Sequence, residues 1–596
     1  MFLKVKSRTK DGKTHRYWSI VESVRVHGGR IIHRPLLYLG ELNDVQHAGW
    51  VRTIEVLKKD ETSDGSPGQL ALFPEDREAI PTLDCEAVRI CVDKIKLRHP
   101  RQWGACWLAL HLWDALQLDR FWAPLLPPSR KGTRWLNVLK ALTCYRLIDP
   151  GSEFHFHRDW FLKTALGDLL GEDFALAQKD KPYRCLDRLL SHKEALFDFL
   201  KERWCALFGA TYDLLLYDLT STYFESDPPP PGSDSKKKFG YSRDHRSDCV
   251  QVVIALVVTP DGFPLAYEIY SGNTRDTATL EDFLDKIEKR FGKARRTWLM
   301  DRGIPTEETL EKMRLRKIQY LVGTPKGRLS RMEAALLDQP WSQARESVQD
   351  KILPQDEEFY VYVQSQDRVA KERSMRRRRL KRLWATLKKL RARKRLKRDD
   401  LLMALGAAKK EAGRAWGLVS VRTPEPHEAV RADTFSYELD RNQLRQTWRR
   451  EGRYLLRAHM ATAAPEAVWE NYMLLARIEQ AFKDVKGDLR VRPIWHQNEP
   501  RIEAHIFVSF LAYCLHTALR NMARGVAGGL TTAAILEKFK AIQMLDVYLP
   551  TTDKRQIVMS RHTEPETDVA LLLEHLKLSL PEQPRPRVYA DKAIAV

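Results

Sequence analysis

The stretch from residue 212 to residue 323 constrains the fold of this chain more than any other. Leu214-Leu-Leu-Tyr-Asp-Leu-Thr is a continuous apolar run of the kind found in strands buried on both faces. A loop-like segment follows a few residues on, Ser226-Asp-Pro-Pro-Pro-Pro-Gly-Ser-Asp-Ser-Lys-Lys-Lys. Next, Gln251-Val-Val-Ile-Ala-Leu-Val-Val and Pro264-Leu-Ala-Tyr-Glu-Ile-Tyr flank Pro260-Asp-Gly262, which reads as a hairpin. Thr277 to Phe291 has helical spacing, Thr297-Trp-Leu-Met-Asp301 is a fourth strand, Glu307–Leu315 a helix and Tyr320-Leu-Val a fifth strand.

Three antiparallel strands followed by helix, strand, helix and strand fit a mixed α/β sheet of ribonuclease H type. The expected architecture is multidomain α/β: a ribonuclease H-like core interrupted by an insertion domain, with an N-terminal β meander and a helical domain. The expected divisions are a meander at 1–45, a linker region at 46–95 and a helical, DNA-end-binding domain at 96–210. The core's first part follows at 211–325, an insertion with a basic helix at 326–465 and the core's last helices at 466–530. A C-terminal helical segment and tail occupy 531–596. Within these, Asp11-Gly12 and Gly28-Gly29 are the meander's turns, and Lys59 to Asp76 has linker composition. No helix-turn-helix is recognisable in the helical domain.

Composition narrows the partners. There are 100 Lys and Arg against 79 Asp and Glu, a net charge of +21. Such a balance points to nucleic acid or an anionic membrane. The first residues carry charge where a signal peptide needs an apolar core. The most apolar run, Ile506 to Leu519, is shorter than a membrane span and contains His516. The eight cysteines form no CxxC pair, which argues against a zinc ribbon or a disulfide framework. A reducing, cytoplasmic setting is expected. The charge is also local: Arg368 to Arg398 holds 17 basic residues and one acid, Glu372, a net +16 of the total. Leu380, Leu383, Leu387 and Leu390 run through it at heptad-like spacing. That helix is expected to pair with another helix and to grip phosphates through Arg376, Arg377, Arg378 and Arg379. A merely solvated charged helix is the alternative.

Three acids stand out by position. Asp218 lies within the first core strand, Asp301 ends another, and Glu479 sits on a helix expected to run unbroken from Ala467 to Gly487. Phosphodiester chemistry needs charge stabilisation on both attacking and leaving oxygens, and two hard cations on carboxylate ligands provide it. On the Glu479 helix, Tyr472, Glu479 and Lys486 are seven apart and share a line beside the apolar stripe, with Lys483 and Arg490 near it. A metal carboxylate facing a phosphate backbone fits that pattern, and so does an exposed face with Glu479 and Lys483 paired. His155-Phe-His157 is a weaker metal candidate, having no carboxylate or cysteine at matching helical spacing.

Three blocks make the chain resemble the DDE-type transposases of bacterial insertion sequences, in the group with a YREK signature. The first is Leu216-Tyr-Asp218-Leu-Thr-Ser-Thr-Tyr-Phe-Glu225, followed by Gly240-Tyr-Ser-Arg-Asp-His-Arg, Gln251-Val-Val-Ile-Ala-Leu and Gly272-Asn-Thr. The second is Trp298-Leu-Met-Asp301-Arg-Gly. The third joins Tyr472, Leu475, Glu479 and Lys486 to Val491-Arg-Pro-Ile-Trp-His496 and Ala504-His-Ile. The resemblance implies that Asp218, Asp301 and Glu479 bind two magnesium ions, with manganese able to substitute, on a ribonuclease H-like sheet. It implies an insertion between the second Asp and the Glu, and phosphate contacts by Tyr472 and Lys486. The signature's Arg is Leu475 here. Arg477 lies about 200° round a helix from Glu479 and is no direct replacement, which puts hairpin formation in doubt.

The implied activity is cut-and-paste transposition, with cleavage at each element end and transfer of the freed 3′-OH into target DNA. Its implied partners are terminal inverted repeats, target DNA and a second copy of the chain in the end complex, with no membrane role. Trp448, among Arg445, Arg449 and Arg450, is a candidate to stack on an extruded base; a core or rim Trp is the plainer reading. An inactive, domesticated transposase that only binds DNA and a ribonuclease H-like repair nuclease are the alternatives.

Overall fold

The computed structural model describes the chain apart from residues 1, 11–12, 26–30, 43–45, 52–53, 55–87, 179, 231, 243, 245, 293–295, 302, 325–339, 346–347, 356, 394–395, 432, 461–464, 488, 490, 492, 526, 528 and 591–596. It divides into two compact units. The first comprises Met1–Lys6, Arg16–Lys293 and Ala476–Val596; the second comprises Ser7–His15 and Ala294–Leu475.

Strands β1 (Phe2–Lys10), β2 (Lys13–Arg25) and β3 (Ile31–Gly40) form a three-stranded sheet in chain order, as the meander was expected to. Its two glycine turns and the Lys59–Asp76 linker lie outside the described residues. The end of β3 meets Gly529, where a Cβ would fall 1.5 Å from the Leu39 carbonyl oxygen, so only glycine fits there.

The segment expected to be wholly helical opens instead with a strand, β4 (Lys96–Gln102). Helices α1 (Gly104–Ala115), α2 (Trp135–Ile148) and α3 (Lys193–Phe208) follow. α2 buries every residue from Ala141 to Ile148, so it is packed on all sides. Three strands come next: β5 (Leu214–Phe224), β6 (Val250–Val258) and β7 (Pro264–Ser271), antiparallel in that order. β6 is buried along its whole length. Helix α4 (Asp276–Phe291) buries Leu280, Phe283, Leu284 and Ile287, and the Tyr217 hydroxyl of β5 hydrogen-bonds Thr279 at 2.9 Å.

The second unit holds β8 (Thr297–Met300), α5 (Glu307–Leu315) and β9 (Gln319–Gly323), with β8 and β9 parallel. The inserted chain adds β10 (Ser342–Arg345), β11 (Val348–Gln355) and β12 (Glu358–Ser365). It then forms two helices, α6 (Gln366–Ala392) and α7 (Arg398–Ala412), and a small ribbon, β13 (Val419–Arg422) with β14 (Ser436–Leu439). Helix α8 (Arg441–Arg449), strand β15 (Arg453–His459) and helix α9 (Pro465–Met473) complete it.

The core–insertion boundary expected near residue 326 is not where the chain divides. β15 pairs antiparallel with β9 on one side and β12 on the other, so insertion strands extend the sheet begun by β8 and β9. Arg457 on β15 reinforces the join, bonding Glu358 of β12 at 2.7 Å and Glu307 of α5 at 2.8 Å. A bidentate guanidinium shared by two carboxylates is the strong form of ion pair. The basic helix does find a partner: Leu383, Leu387 and Leu390 of α6 pack with Leu401, Leu405, Ala408 and Ala412 of α7.

Back in the first unit come α10 (Leu475–Lys486, of which Leu475 belongs to the second unit) and α11 (Glu499–Arg524). α11 is long and apolar enough to cross a membrane, yet 94% of its apolar window is buried inside the protein, as in a core helix. The C-terminal segment, expected to be helix and tail, alternates: α12 (Thr532–Phe539), β16 (Gln543–Pro550), β17 (Arg555–His562), α13 (Thr567–His575) and β18 (Arg587–Ala590). β16 takes β4 as its antiparallel neighbour, giving the sheet order β4-β16-β17-β18. Asp546 of β16 bonds Arg101 of β4 at 2.9 Å across that seam.

Candidate active site

Asp218 sits in the middle of β5, opposite Leu256 of β6. Its neighbours Tyr217 and Leu219 are buried, and so are Leu216 and Thr220, which share its face, whereas Asp218 itself is half-buried. One carboxylate oxygen accepts the Leu219 backbone N–H at 2.7 Å. Thr220, Ser221 and Thr222 beside it are all buried, so a polar stretch runs through an otherwise apolar strand.

Glu479 lies on α10 and is exposed. Ile478 and Phe482, about 100° and 60° round the helix from it, are buried. Asp484, five residues further, is buried as well. It pairs with Arg520 of α11 at 3.2 Å and lies 3.9 Å from His516. Burying a carboxylate is costly unless it is paired, so this contact anchors α10 on α11. Asp301 directly follows β8 and is exposed, its carbonyl accepting the Ile304 N–H at 3.2 Å in a turn. Asp218 and Glu479 belong to the first unit and Asp301 to the second. All three offer hard carboxylate oxygens, the donor set that suits magnesium.

The helix expected from Ala467 to Gly487 is two helices, α9 and α10, separated at Leu474, whose N–H bonds the Asn471 carbonyl at 3.1 Å. Glu479 and Lys486 therefore share α10, whereas Tyr472 belongs to α9. Tyr472 ends up stacked on Tyr454 of β15, ring centroids 5.5 Å apart. Lys483 is exposed, and among the described residues no ion pair joins it to Glu479. Leu475 is the first residue of α10 and half-buried. The Lys486 side chain and Arg490 lie outside the described residues.

α8 has no buried residue, and Trp448 on it is 52% exposed with Arg449 beside it, so Trp448 is a surface side chain and not a core one. On α6, Arg377, Arg378 and Arg379 are exposed. Arg376 departs from expectation. It turns inward to Glu451, which also takes Arg373 at 3.2 Å. Burial, followed by the neighbouring Arg373 and Arg377 charges, pushes the Arg376 guanidinium pKa down.

Sequence reading missed one polar cluster altogether. Glu153, in a single helical turn that Ser152 caps, is buried with His496 and His505. One Glu153 oxygen lies 3.0 Å from His496 Nε2, the other 2.9 Å from His505 Nδ1. Arg146 of α2, itself buried, is 3.4 Å from the second oxygen. Despite burial, the facing histidines hold the Glu153 carboxyl well below the usual range, while burial lowers His505 to about 4. Three such ligand atoms within 4.8 Å are of metal-binding type. Yet Arg146 already balances the Glu153 charge, and a divalent ion would add two positive charges to a dry site. The cluster reads as a buried charge-paired group centred on Glu153. The histidine pair singled out from sequence takes no part: His155 is exposed and faces Asp159 at 3.4 Å. Only the appearance of His496 and His505 in the third sequence block hinted at this cluster, since Glu153 lies more than 340 residues away.

Comparison with known families matches residues 210–515, just over half of the chain, to the model described as Transposase DDE domain. Residues 3–65 match the model described as IS1634 family transposase, N-terminal domain. No curated protein matches the chain.

Proposed function

Because the chain belongs to the insertion-sequence DDE transposases, we propose that it cleaves DNA at its element's terminal inverted repeats and joins the freed 3′-OH to target DNA. The observation that carries this reading is the setting of Asp218: a half-exposed carboxylate in the middle of a buried strand, within the stretch that matches the DDE domain. Asp218, Asp301 and Glu479 would hold two magnesium ions, or manganese in their place. When bound, such ions stabilise charge on the attacking and leaving oxygens of the phosphodiester. The chain's own contributions are to position and to bind. Burial of Ile478, Phe482 and the Asp484–Arg520 pair anchors the helix that carries Glu479. Exposed Arg377, Arg378 and Arg379, together with Lys483, Lys486 and Arg490, would contact backbone phosphates. Tyr472 would lie near the cleaved end, and exposed Trp448 with Arg449 would meet an unpaired base.

We place the chain in the YREK-signature group, working as a dimer on paired ends in the cytoplasm. Purified protein, magnesium and an element-end duplex should give nicked and joined products. Asp218→Asn should abolish joining, by at least about a hundredfold, and keep DNA binding, since an essential group for transition-state stabilisation is lost without changing ground-state contacts. An Asp218→Asn chain that still joins strands would sink the assignment.

A further inference from the structure

The segment leaving the Glu479 helix is anchored in an unusual way. Beyond Lys486, the residues Leu489, Val491 and Ile494 are buried, and the Ile494 N–H meets the Tyr223 carbonyl of β5 at 3.4 Å. Tyr223 is five residues along the strand from Asp218. The segment then inserts His496 into the Glu153 cluster, 3.0 Å from the carboxylate, with Tyr183 edge-on to the imidazole. It thus runs as a strap from the helix of one acid, past the strand of another, to a buried socket. The socket is built from three other places in the chain: Arg146 on α2, Glu153 in its capped turn and His505 on α11.

On the reading of Asp218 and Glu479 given above, we propose that Glu153 is a positioning residue for the reaction: through His496 it fastens the strap and so holds the Glu479 helix in register with the strand carrying Asp218. Apolar burial of Leu489, Val491 and Ile494 is non-directional and tolerates small slides. A buried carboxylate is different. Its oxygens must be met along defined directions, and a displaced imidazole leaves it short of a donor in a dry interior. His505 Nδ1 hydrogen-bonds one Glu153 oxygen at 2.9 Å, and His496 Nε2 lies 3.0 Å from the other, both facing a carboxylate that can only accept. The network also joins the helical segment to the core of the first unit. A change where Arg146 or Glu153 sits is therefore felt at the helix bearing Glu479. Asp484 and Arg520 supply the matching hold at the helix itself.

The test uses full-length protein on a duplex carrying its element's terminal repeat. His496→Gln removes the strap's contact while leaving the Arg146–Glu153 pair in place, and Glu153→Gln removes the socket's charge. The measurements are cleavage rate against magnesium concentration at saturating DNA, DNA affinity, melting temperature and zinc content. For His496→Gln, half-saturating magnesium should rise severalfold and the maximal rate fall about tenfold, since small misplacements of reacting groups are costly. DNA affinity should stay close to wild type, and the melting temperature should fall by about a few degrees at most, with rates measured well below it. An unchanged magnesium response in either variant that folds overturns the proposal. So does a loss of activity that only follows a lowered melting temperature. Stoichiometric zinc in the wild type, lost with His496, would make the cluster a metal site instead and also overturn it. A wild type that binds the duplex but never cuts it refutes the transposase reading itself; a wild type that cuts, matched by His496→Gln at every magnesium concentration, refutes this inference alone.

Discussion

Asp218, Glu153 and Arg376 are charged residues held in three ways: half-buried within a strand, buried against two histidines, and turned inward to Glu451. Asp218 was legible because an acid inside a buried-strand run is anomalous by itself. Glu153 was not, because its partners His496 and His505 arrive from the far end of the chain, and no local period encodes that meeting. The cluster has a measurable consequence. His505, faced by Glu153, Arg146 and His496, is lowered to about 4 by burial. In the unfolded chain a histidine titrates near 6.5. Between those values the unfolded state binds more protons, so stability is complete above about 6.5 and is lost as pH falls toward 4. Glu153, also depressed, adds a loss of the same sign only below the ordinary carboxylate range. The melting temperature should therefore drop between pH 7 and pH 5, and a flat profile there would contradict a neutral, buried His505. Leu475 makes a second prediction at this scale. With an apolar side chain where the signature carries Arg, excised ends should be open, so hairpin-capped fragments on a denaturing gel would refute it.

Elements were legible where their signal was local. The hairpin of β6 and β7 and the run β8, α5, β9 follow from apolar period and turn residues within a few positions. The C-terminal strands were not legible, because β16 is completed by β4, over 400 residues earlier, and pairing of that range leaves little trace in its own sequence. The break at Leu474 was also hidden: the apolar spacing of the two helices continues through it. The α6–α7 hairpin was half legible, the leucine stripe announcing a partner helix without naming it. Leu387 is fully buried in that hairpin. Leu387→Ala should cost about 2–5 kcal/mol, from lost burial and the cavity left behind. Denaturant unfolding followed by helical signal in the second unit would measure it; a change under 1 kcal/mol would mean the hairpin core is not packed as described.

Across the whole molecule the net charge is unevenly shared, and the second unit holds both the basic helix and Asp301. Most of the +21 lies in one helical stretch of the second unit, while Asp218 and Glu479 lie in the first. Arg376 alters what that stretch can contribute. Turned inward to Glu451, it is part of the packing, whereas Arg377, Arg378 and Arg379 face solvent. Each phosphate neutralised by a cation releases counterions and steepens the salt dependence of binding by about 0.9 in log–log slope. Replacing Arg377, Arg378 and Arg379 together by Gln should weaken DNA binding and flatten that slope by roughly 2 to 3. Arg376→Gln should instead lower the melting temperature, because Glu451 loses a buried partner, and should leave the slope nearly unchanged. Affinity measured from low to moderate salt separates the two. Equal slopes for the triple variant and the wild type would reduce the basic helix to a solvated face. A flattened slope for Arg376→Gln alone would return that side chain to the DNA.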